Sequence, residues 1–487
     1  MVTLSVGRLG LVFYALVSLL SLMAQDSSSS SGAASLLKAN PKMTTIDPSK
    51  VDAAASAPVV SGATEKKSQV NDTTEAPLAF HDFIQAVQDS NLNYAAQKYS
   101  VPIAQAQISL ARLWPNPTIQ AGYNAPFHQS DSVTGIPPGV ITGDQSLPSA
   151  TTASLSEAIP IGGRLSAKEA VARTATTQAE AQLQDYFRNL RATSAGSYID
   201  ALTAELVVER KQQTYQSLKA LSDLNEIRFK DGDIAEADLI EARLAALEAL
   251  SDLHSSESTL RQATLGLAVL VGRKELLRVY HPIGNLALRE RTFDLETLVN
   301  TAILTRSDVV AALHAKENAD AQFSLAKANR IPDITASVNY THNSQSQNTF
   351  APSPENDQIG FSLQVPIPVS NFDTDDLKAA RLTVLQADKQ LEAAQVQAET
   401  DVRQAVARYR SALDSVRQYS GGILSDAQRA LDIKLYSYKK GSSTLLDVRQ
   451  AESDLNDTYQ SYYSALNEEA KALVNVEQAA GVWDIEL

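Results

Sequence analysis

Two carboxylates stand out by position. Asp238 follows the turn Phe229-Lys230-Asp231-Gly232 by six residues, and Asp447 follows Tyr438-Lys439-Lys440-Gly441 at the same spacing. Each turn ends a helical stretch with a Gly where positive φ is tolerated, and Asp233 or Ser442 is expected to cap the next helix. An ordinary helical hairpin accounts for that geometry, but not for the aromatic three residues before each Gly or the Asp six residues after it. Other chemistry is missing. Six histidines, His81, His128, His254, His281, His314 and His342, are scattered without ligand spacing, and there is no cysteine. No metal or other cofactor is therefore expected. The sequence contains no Gly-Lys-Ser or Gly-Lys-Thr phosphate loop, so the chain has no nucleotide-driven source of energy of its own. It also lacks a strand-to-helix nucleophile elbow, which makes an enzyme the least favoured class.

The elements that carry these turns occur twice. Phe229, Gly232, Asp238 and Ala242 return as Tyr438, Gly441, Asp447 and Ala451, all displaced by 209 positions. Pro115, Asn116 and Tyr123 return as Pro332, Asp333 and Tyr340 at 217, and Ile159, Pro160 and Ile161 as Val365, Pro366 and Ile367 at 206. Such a period implies two copies of one structural unit. Residues 164–229 and 370–438 contain no proline and favour helix; their 66 and 69 residues give rods of roughly 100 Å. Val402, Val406, Tyr409, Leu413 and Val416 form a coiled-coil seam, and Leu455, Tyr459, Tyr462 and Leu466 repeat its spacing on the return, so outgoing and returning helices should pack antiparallel. Gly421 and Gly422 are where the longer second rod should absorb its three extra residues in a kink.

Before each rod lies a pair of alternating segments. Ile119, Ala121, Tyr123, Ala125 and Phe127 alternate with polar residues, as do Ile334, Ala336, Val338 and Tyr340. The return segments carry Leu155, Ile159 and Ile161 in one unit and Ile359, Phe361, Leu363, Val365 and Ile367 in the other. The pattern predicts strands at about 118–128, 152–161, 333–342 and 358–367, each with one apolar and one polar face. Their length suits a strand crossing hydrocarbon at a tilt. Glu157 interrupts its apolar face and is expected at a strand end or a packed position. Residues 130–150 and 346–357, rich in Pro, Gly, Ser and Asp, read as loops. Helical periods start at Phe80 and Leu295 and run to about Leu113 and Asn329, with Pro102 expected to kink or break the first.

Apolar content is 44% and the net charge is -14, so nucleic acid is not an expected partner. Leu9 to Met23 is the one continuous apolar run; it is short for a membrane span and sits where a secretory signal belongs, with an uncleaved anchor as the alternative. The expected organisation is a signal peptide at 1–24, a Ser- and Ala-rich leader at 25–77, a first repeat at 78–271, a linker at 272–292, a second repeat at 293–482 and a tail at 483–487. Strands with an apolar outer face cannot leave open edges in lipid, because unpaired backbone groups there cost several kcal/mol each. Four strands are too few to enclose a lumen. Copies of the chain must therefore share one barrel, with the rods continuing it on one side of the membrane, and the function that follows is a passive pore.

The order helix, strand, strand, long helix, Gly turn and helix, given twice over 78–482, resembles the TolC-type outer-membrane efflux channel family. The residues carrying the likeness are the turns Phe229 to Asp238 and Tyr438 to Val448. Trp114-Pro115-Asn116-Pro117 and Ile159-Pro160-Ile161-Gly162-Gly163-Arg164 resemble the branch that works with resistance-nodulation-division (RND) pumps, heavy-metal exporters included. The resemblance implies a mainly helical homotrimer with a twelve-stranded barrel in outer-membrane lipid and an α-helical tunnel in the periplasm. Its tip turns, with Phe229, Gly232, Gly441, Leu445 and Leu446, would meet a periplasmic membrane-fusion adaptor and an inner-membrane pump. Ile119, Tyr123, Phe127, Ile334, Val338, Tyr340, Phe361, Leu363 and Val365 would face the membrane. Family channels carry rings of Asp at the second turn; Asp447 matches the first ring position, and Gln450 stands where a second Asp is expected. Tyr438 and Asp238 match a closed-state lock whose Arg is Ser443 here, with Arg449 or Arg243 as candidate replacements. Family members with a lipidated N-terminal Cys differ from this chain, which has none. Alternatives are the outer-membrane component of a type I secretion system and, from another class, a periplasmic coiled-coil adaptor or scaffold. Three carboxylates gathered at one narrow end repel each other and attract cations. Replacing Asp447 by Ala is expected to raise leak conductance in planar bilayers and to reduce block by trivalent cations.

Overall fold

The computed structural model describes residues 76–125, 148–272, 280–286, 290–346, 352–367 and 373–484. All of them belong to the compact unit Asp72–Leu487. The signal segment, residues 25–75 of the leader, Phe127, most of the loop expected at 130–150 and the last three residues lie outside the described residues.

Each half begins with short helices. In the first they are α1 (Phe80–Ser90), α2 (Leu92–Lys98) and α3 (Ser100–Ala111). The single helix expected over this stretch is thus interrupted twice. Pro102 sits in the first turn of α3, where its missing N–H costs nothing, and the chain turns just before it at Tyr99. Asn91 makes the other break by capping α2, its side chain accepting from the Tyr94 N–H at 2.8 Å. In the second half the expected helix is also divided, into α6 (Leu295–Thr305) and α7 (Ser307–Asn329), at Arg306 with φ -65° and ψ 130°. Arg306 is buried, and its guanidinium binds Asp308, Asp401 and the Ala479 carbonyl. A long-range ionic contact of this kind leaves no local sequence signal.

Between these helices and the rods lies one antiparallel sheet in the order β2-β3-β5-β6, formed by β2 (Thr118–Asn124), β3 (Ala150–Ile159), β5 (Ile334–Asn343) and β6 (Asn356–Gln364). The strands start and stop within a few residues of expectation, except that β2 ends at Asn124 and β6 ends at Gln364, leaving Val365 and Ile367 beyond its hydrogen-bonded span. Glu157 lies inside β3, opposite Ala336. A second, two-stranded parallel sheet is formed by β1 (Ala76–Ala79) and β4 (Tyr280–Ile283). The end of the expected leader and the middle of the expected linker thus pair with each other. Four residues are too few to show a period, and what holds the two strands is remote: the Tyr198 hydroxyl lies 2.7 Å from the Leu78 carbonyl and 2.8 Å from that of Ile283. Burial pushes that phenol up to about 12, so it stays a donor.

The rods are α4 (Arg164–Lys230), unbroken over 67 residues, returning as α5 (Glu236–Val271), and α8 (Thr374–Gln418), which passes through a π-helical turn at Tyr419–Ile423 into α9 (Leu424–Lys439) and returns as α10 (Leu445–Ala480). The irregular turn falls on Gly421-Gly422, with φ 156° at Gly422. A wider turn takes up surplus residues without breaking the rod. Val402, Val406, Tyr409, Leu413, Val416, Leu455 and Leu466 are all buried, as the seam requires. The main core gathers Phe80, Phe83, Tyr198, Val402, Tyr409 and Leu473, and Phe80 meets Tyr198 edge-on at 5.3 Å, as Phe293 meets Tyr409 at 5.4 Å.

The end of α10 is clasped by charge. Arg291 reaches Asp484 at 2.7 Å and buried Glu477 at 3.3 Å, and the Asp484 N–H donates to Glu477. Burial, then its contact with Asp484, pushes the Glu477 carboxyl up to about 8 against the pull of Arg291. An acid whose folded pKa lies above its unfolded value stabilises least where it must ionise. Thermal stability of the detergent-solubilised protein should therefore decline as pH rises from 5 to 8, and Glu477→Gln should flatten that decline.

Candidate functional site

The register sorts the sheet's side chains onto two faces of opposite character. Leu155 stands between Ile119 and Val338, and Val338 is opposite Phe361; the next rows hold Ala121, Ala153, Tyr340 and Ile359, and Glu157, Ala336 and Leu363. Apolar residues therefore line up across all four strands in the first two of these rows, and Glu157 places one carboxylate on the same face in the third. Ile119, Tyr123, Phe361 and Leu363 on this face are 66–77% exposed, far more than a sheet covering a soluble core would leave. Ile334 shares the face, opposite Ile159. At one end the band stops at a polar group, where Asp357 accepts from the Tyr340 hydroxyl at 2.8 Å and contacts the His342 ring at 2.9 Å.

The opposite face carries Thr118, Gln120 and Asn124 of β2, Thr152, Ser154 and Ser156 of β3, Thr335, Ser337, Asn339, Thr341 and Asn343 of β5, and Asn356, Gln358, Ser362 and Gln364 of β6. Hydroxyl contacts run across it: Thr118 with Ser156 at 2.7 Å and Ser337 with Ser362 at 3.0 Å. Not one residue of this face within the four strands is charged. Among the described residues, the outer margins of β2 and β6 pair with no strand.

At the far end of the rods, Gly232 and Gly441 adopt φ 83° and 75° and close the two turns. Neither Asp233 nor Ser442 caps the helix that follows. The N-cap residues are Ala235, which has no capping side chain, and Thr444. Asp238 and Asp447 are each the third residue after their cap, which explains their shared spacing: a carboxylate there faces the positive end of a helix. At α10 the arrangement is a full capping box, in which the Thr444 hydroxyl accepts from the Asp447 N–H at 3.2 Å and Asp447 Oδ2 accepts from the Thr444 N–H at 3.0 Å. The hydroxyls of Thr444 and Ser443 also donate to Oδ2, and Lys434 reaches Oδ1 at 3.3 Å. The Thr444 donors, then Ser443 and Lys434, hold the Asp447 carboxyl far below the usual range, so it stays ionised at neutral pH.

Tyr438 and Asp238 do not pair with each other. The buried Tyr438 hydroxyl donates to Asn225 Oδ1 at 2.8 Å, and Arg228 lies over the ring at 5.3 Å. Asn225, buried in α4, is absent from every sequence motif and becomes visible only through this contact. The two candidate arginines bind elsewhere, Arg449 to Glu248 and Arg243 to Glu226, and Gln450 donates to Asp454. Leu445 packs inside with Leu221, Leu431, Val448 and Leu455, whereas Phe229 and Leu446 remain exposed at the turns. Leu445 therefore supports the tip from beneath and presents no surface.

Comparisons with known proteins place this sheet and these rods in a family. The model of a family described as outer membrane efflux proteins matches residues 83–273 and 298–482. The chain belongs to the outer membrane efflux protein family. Outer membrane protein TolC of Escherichia coli (strain K12) is 24% identical over 305 residues, which is 59% of this chain and 60% of TolC. That match thus spans about three-fifths of the relative's length. The cobalt-zinc-cadmium resistance protein CzcC of Cupriavidus metallidurans is 22% identical over 410 residues, 83% of this chain and 90% of CzcC. Among solved structures, CusC, described in connection with folding and transmembrane channel formation, superposes with a TM-score of 0.65 at 18% identity, over 84% of this chain and 94% of CusC. That likeness establishes the fold. Among the described residues of this efflux-family chain, no helix is long and apolar enough to cross a membrane, a statement that leaves strands untouched.

Because Asp447 both carries charge and caps α10, the two roles must be tested apart. Thr444→Ala is expected to cost about 1 kcal/mol of helix-end stability while leaving the carboxylate in place, read as a lowered unfolding midpoint. Asp447→Asn is expected to cost less stability than Asp447→Ala, since its amide oxygen still accepts from the Thr444 N–H.

Proposed function

We propose that this protein is the outer-membrane exit duct of a tripartite efflux system, passively conducting what an inner-membrane RND-type pump expels through a periplasmic adaptor. The observation that carries the reading is the sheet: one face apolar and exposed, the other polar and uncharged, with both margins open. Twelve strands from three copies close such margins and turn the apolar faces to lipid and the polar faces to water. Ile119, Tyr123, Ile334, Val338, Tyr340, Phe361 and Leu363 then face the membrane. The two halves of the chain act as two copies of one unit, and their paired rods continue the wall as a periplasmic tunnel.

The tip turns are the adaptor-facing end, with Phe229 and Leu446 as the exposed apolar contacts. Asp447 contributes a ring of three carboxylates there, while Gln450 in the position of the second ring leaves that row uncharged. Tyr438 ties the second hairpin to the first through Asn225, which takes the place expected of Asp238. The likeness to CzcC favours the heavy-metal branch of cargo. The barrel wall is compatible with ions of either sign, because it offers hydroxyls and amides without fixed charge, so selection falls to the ends of the duct.

Extraction and conductance test this reading directly. The mature chain should leave the membrane only with detergent, migrate as a heat-sensitive trimer, and conduct in planar bilayers. A monodisperse monomer recovered without detergent, or a trimer with no conductance in any tip variant, would overturn it.

A further inference from the structure

We infer that Glu157, an acid on the apolar face of the sheet, binds the primary ammonium headgroup of a phospholipid in the leaflet nearer the rods. This rests on the outer-membrane reading above and names a lipid that its sheet holds.

Glu157 is the one charged residue of β3. The register sets it opposite Ala336 on β5, flanked there by Ile334 and Val338, with Leu155 and Ile159 on its own strand and Ile119 diagonal to it on β2. Among the described residues it makes no side-chain hydrogen bond and no ion pair. Three guanidiniums at this end of the sheet are already taken: Arg112 and Arg173 bind Glu169, and Arg164 binds Asp333. The other acid on this face, Asp357, has Tyr340 and His342 as partners, which leaves Glu157 alone without one.

A neighbouring copy cannot supply the missing cation through its strands. β3 is an inner strand, with β2 and β5 of its own chain on its two sides, so closing the barrel brings no other strand beside it. The partner must come from outside the sheet. Nor does the fold need the charge: the displacement of 206 that carries Ile159 onto Val365 carries Glu157 onto Leu363, which lies exposed on the same face. An apolar residue fits the place, and the acid belongs to one half only.

Depth and charge select the ligand. Two apolar rows separate the row of Glu157 from the Asp357–His342 group, and one further row, Ile159 with Ile334, lies on its rod side. A row is two residues, about 6.8 Å along a strand and roughly 5 Å along the membrane normal at a tilt near 45°. From one row inside the rod-side edge, a side chain can reach the headgroups by bending toward them. A primary ammonium brings opposite charge and three donors to the two carboxylate oxygens. A quaternary ammonium has no donor to offer, and an anionic headgroup is repelled.

The full-length protein in detergent is exposed in turn to phosphatidylethanolamine, phosphatidylcholine and phosphatidylglycerol with identical acyl chains, and bound lipid is read by native mass spectrometry. The ethanolamine lipid is expected to be retained several-fold over the other two, and Glu157→Gln to bring it down to their level. Glu157→Leu, which installs the residue of the second half, should do the same and answers the question if Gln disturbs the strand. Equal retention of the three lipids by the unaltered protein, or an ethanolamine preference that survives both substitutions, would overturn the headgroup site. Should that happen while the protein still runs as a conducting trimer, the duct reading stands and only the lipid site falls; a monomer recovered without detergent would remove both.

Discussion

Among the described residues, no strand pairs with the outer margin of β2 or of β6. In water such a margin is a liability; in hydrocarbon it is prohibitive, since each unpaired group costs several kcal/mol. On the proposed reading, lipid surrounds the exposed apolar face of this sheet, and the open margins then call for further strands. Assembly is in this view a consequence of backbone chemistry, with side chains deciding only which face turns outward.

The helical part solves a different problem with similar means. A rod of 67 residues cannot bury itself alone, so each is folded back at a Gly turn and zipped along a seam of Ala, Val, Leu and Tyr. Several polar groups that enter that packing are tied across it. Arg306 binds two aspartates and a carbonyl, Tyr198 bridges two strands, and Arg210 approaches Glu452 at 3.5 Å while stacking on Tyr459. Such contacts add little net energy when paired, yet leaving one partner buried alone is costly, so they favour one register of the rods over its neighbours.

Asp447 joins helix capping and fixed charge in one residue. Its carboxylate is held by donors of its own turn, which keeps it charged while leaving its side chain half-exposed. A charge fixed by a helix cap has little freedom to reorient independently of its hairpin. The Tyr438–Asn225 bond ties that hairpin to its neighbour.

Much of this was legible from periodicity. The two-residue alternation around Tyr123 and Phe361, the seam from Val402 to Val416, and the irregular turn at Gly421-Gly422 all express local geometry, and local geometry is what spacing encodes. The capping box Thr444-Leu445-Leu446-Asp447 is equally local, but Ser442, two residues earlier, is the same kind of capping residue, and spacing alone does not choose between them. What spacing could not show depends on residues far apart in the chain: the break at Arg306, the pairing of β1 with β4 under Tyr198, and the partner of Tyr438. The sequence by itself determined which faces are apolar and where the rods reverse, because those follow from side-chain period and from the φ that Gly permits. Only the tertiary structure decided which buried polar groups meet, because a hydrogen bond between Tyr438 and Asn225 is set by how two rods lie together and by nothing near either residue.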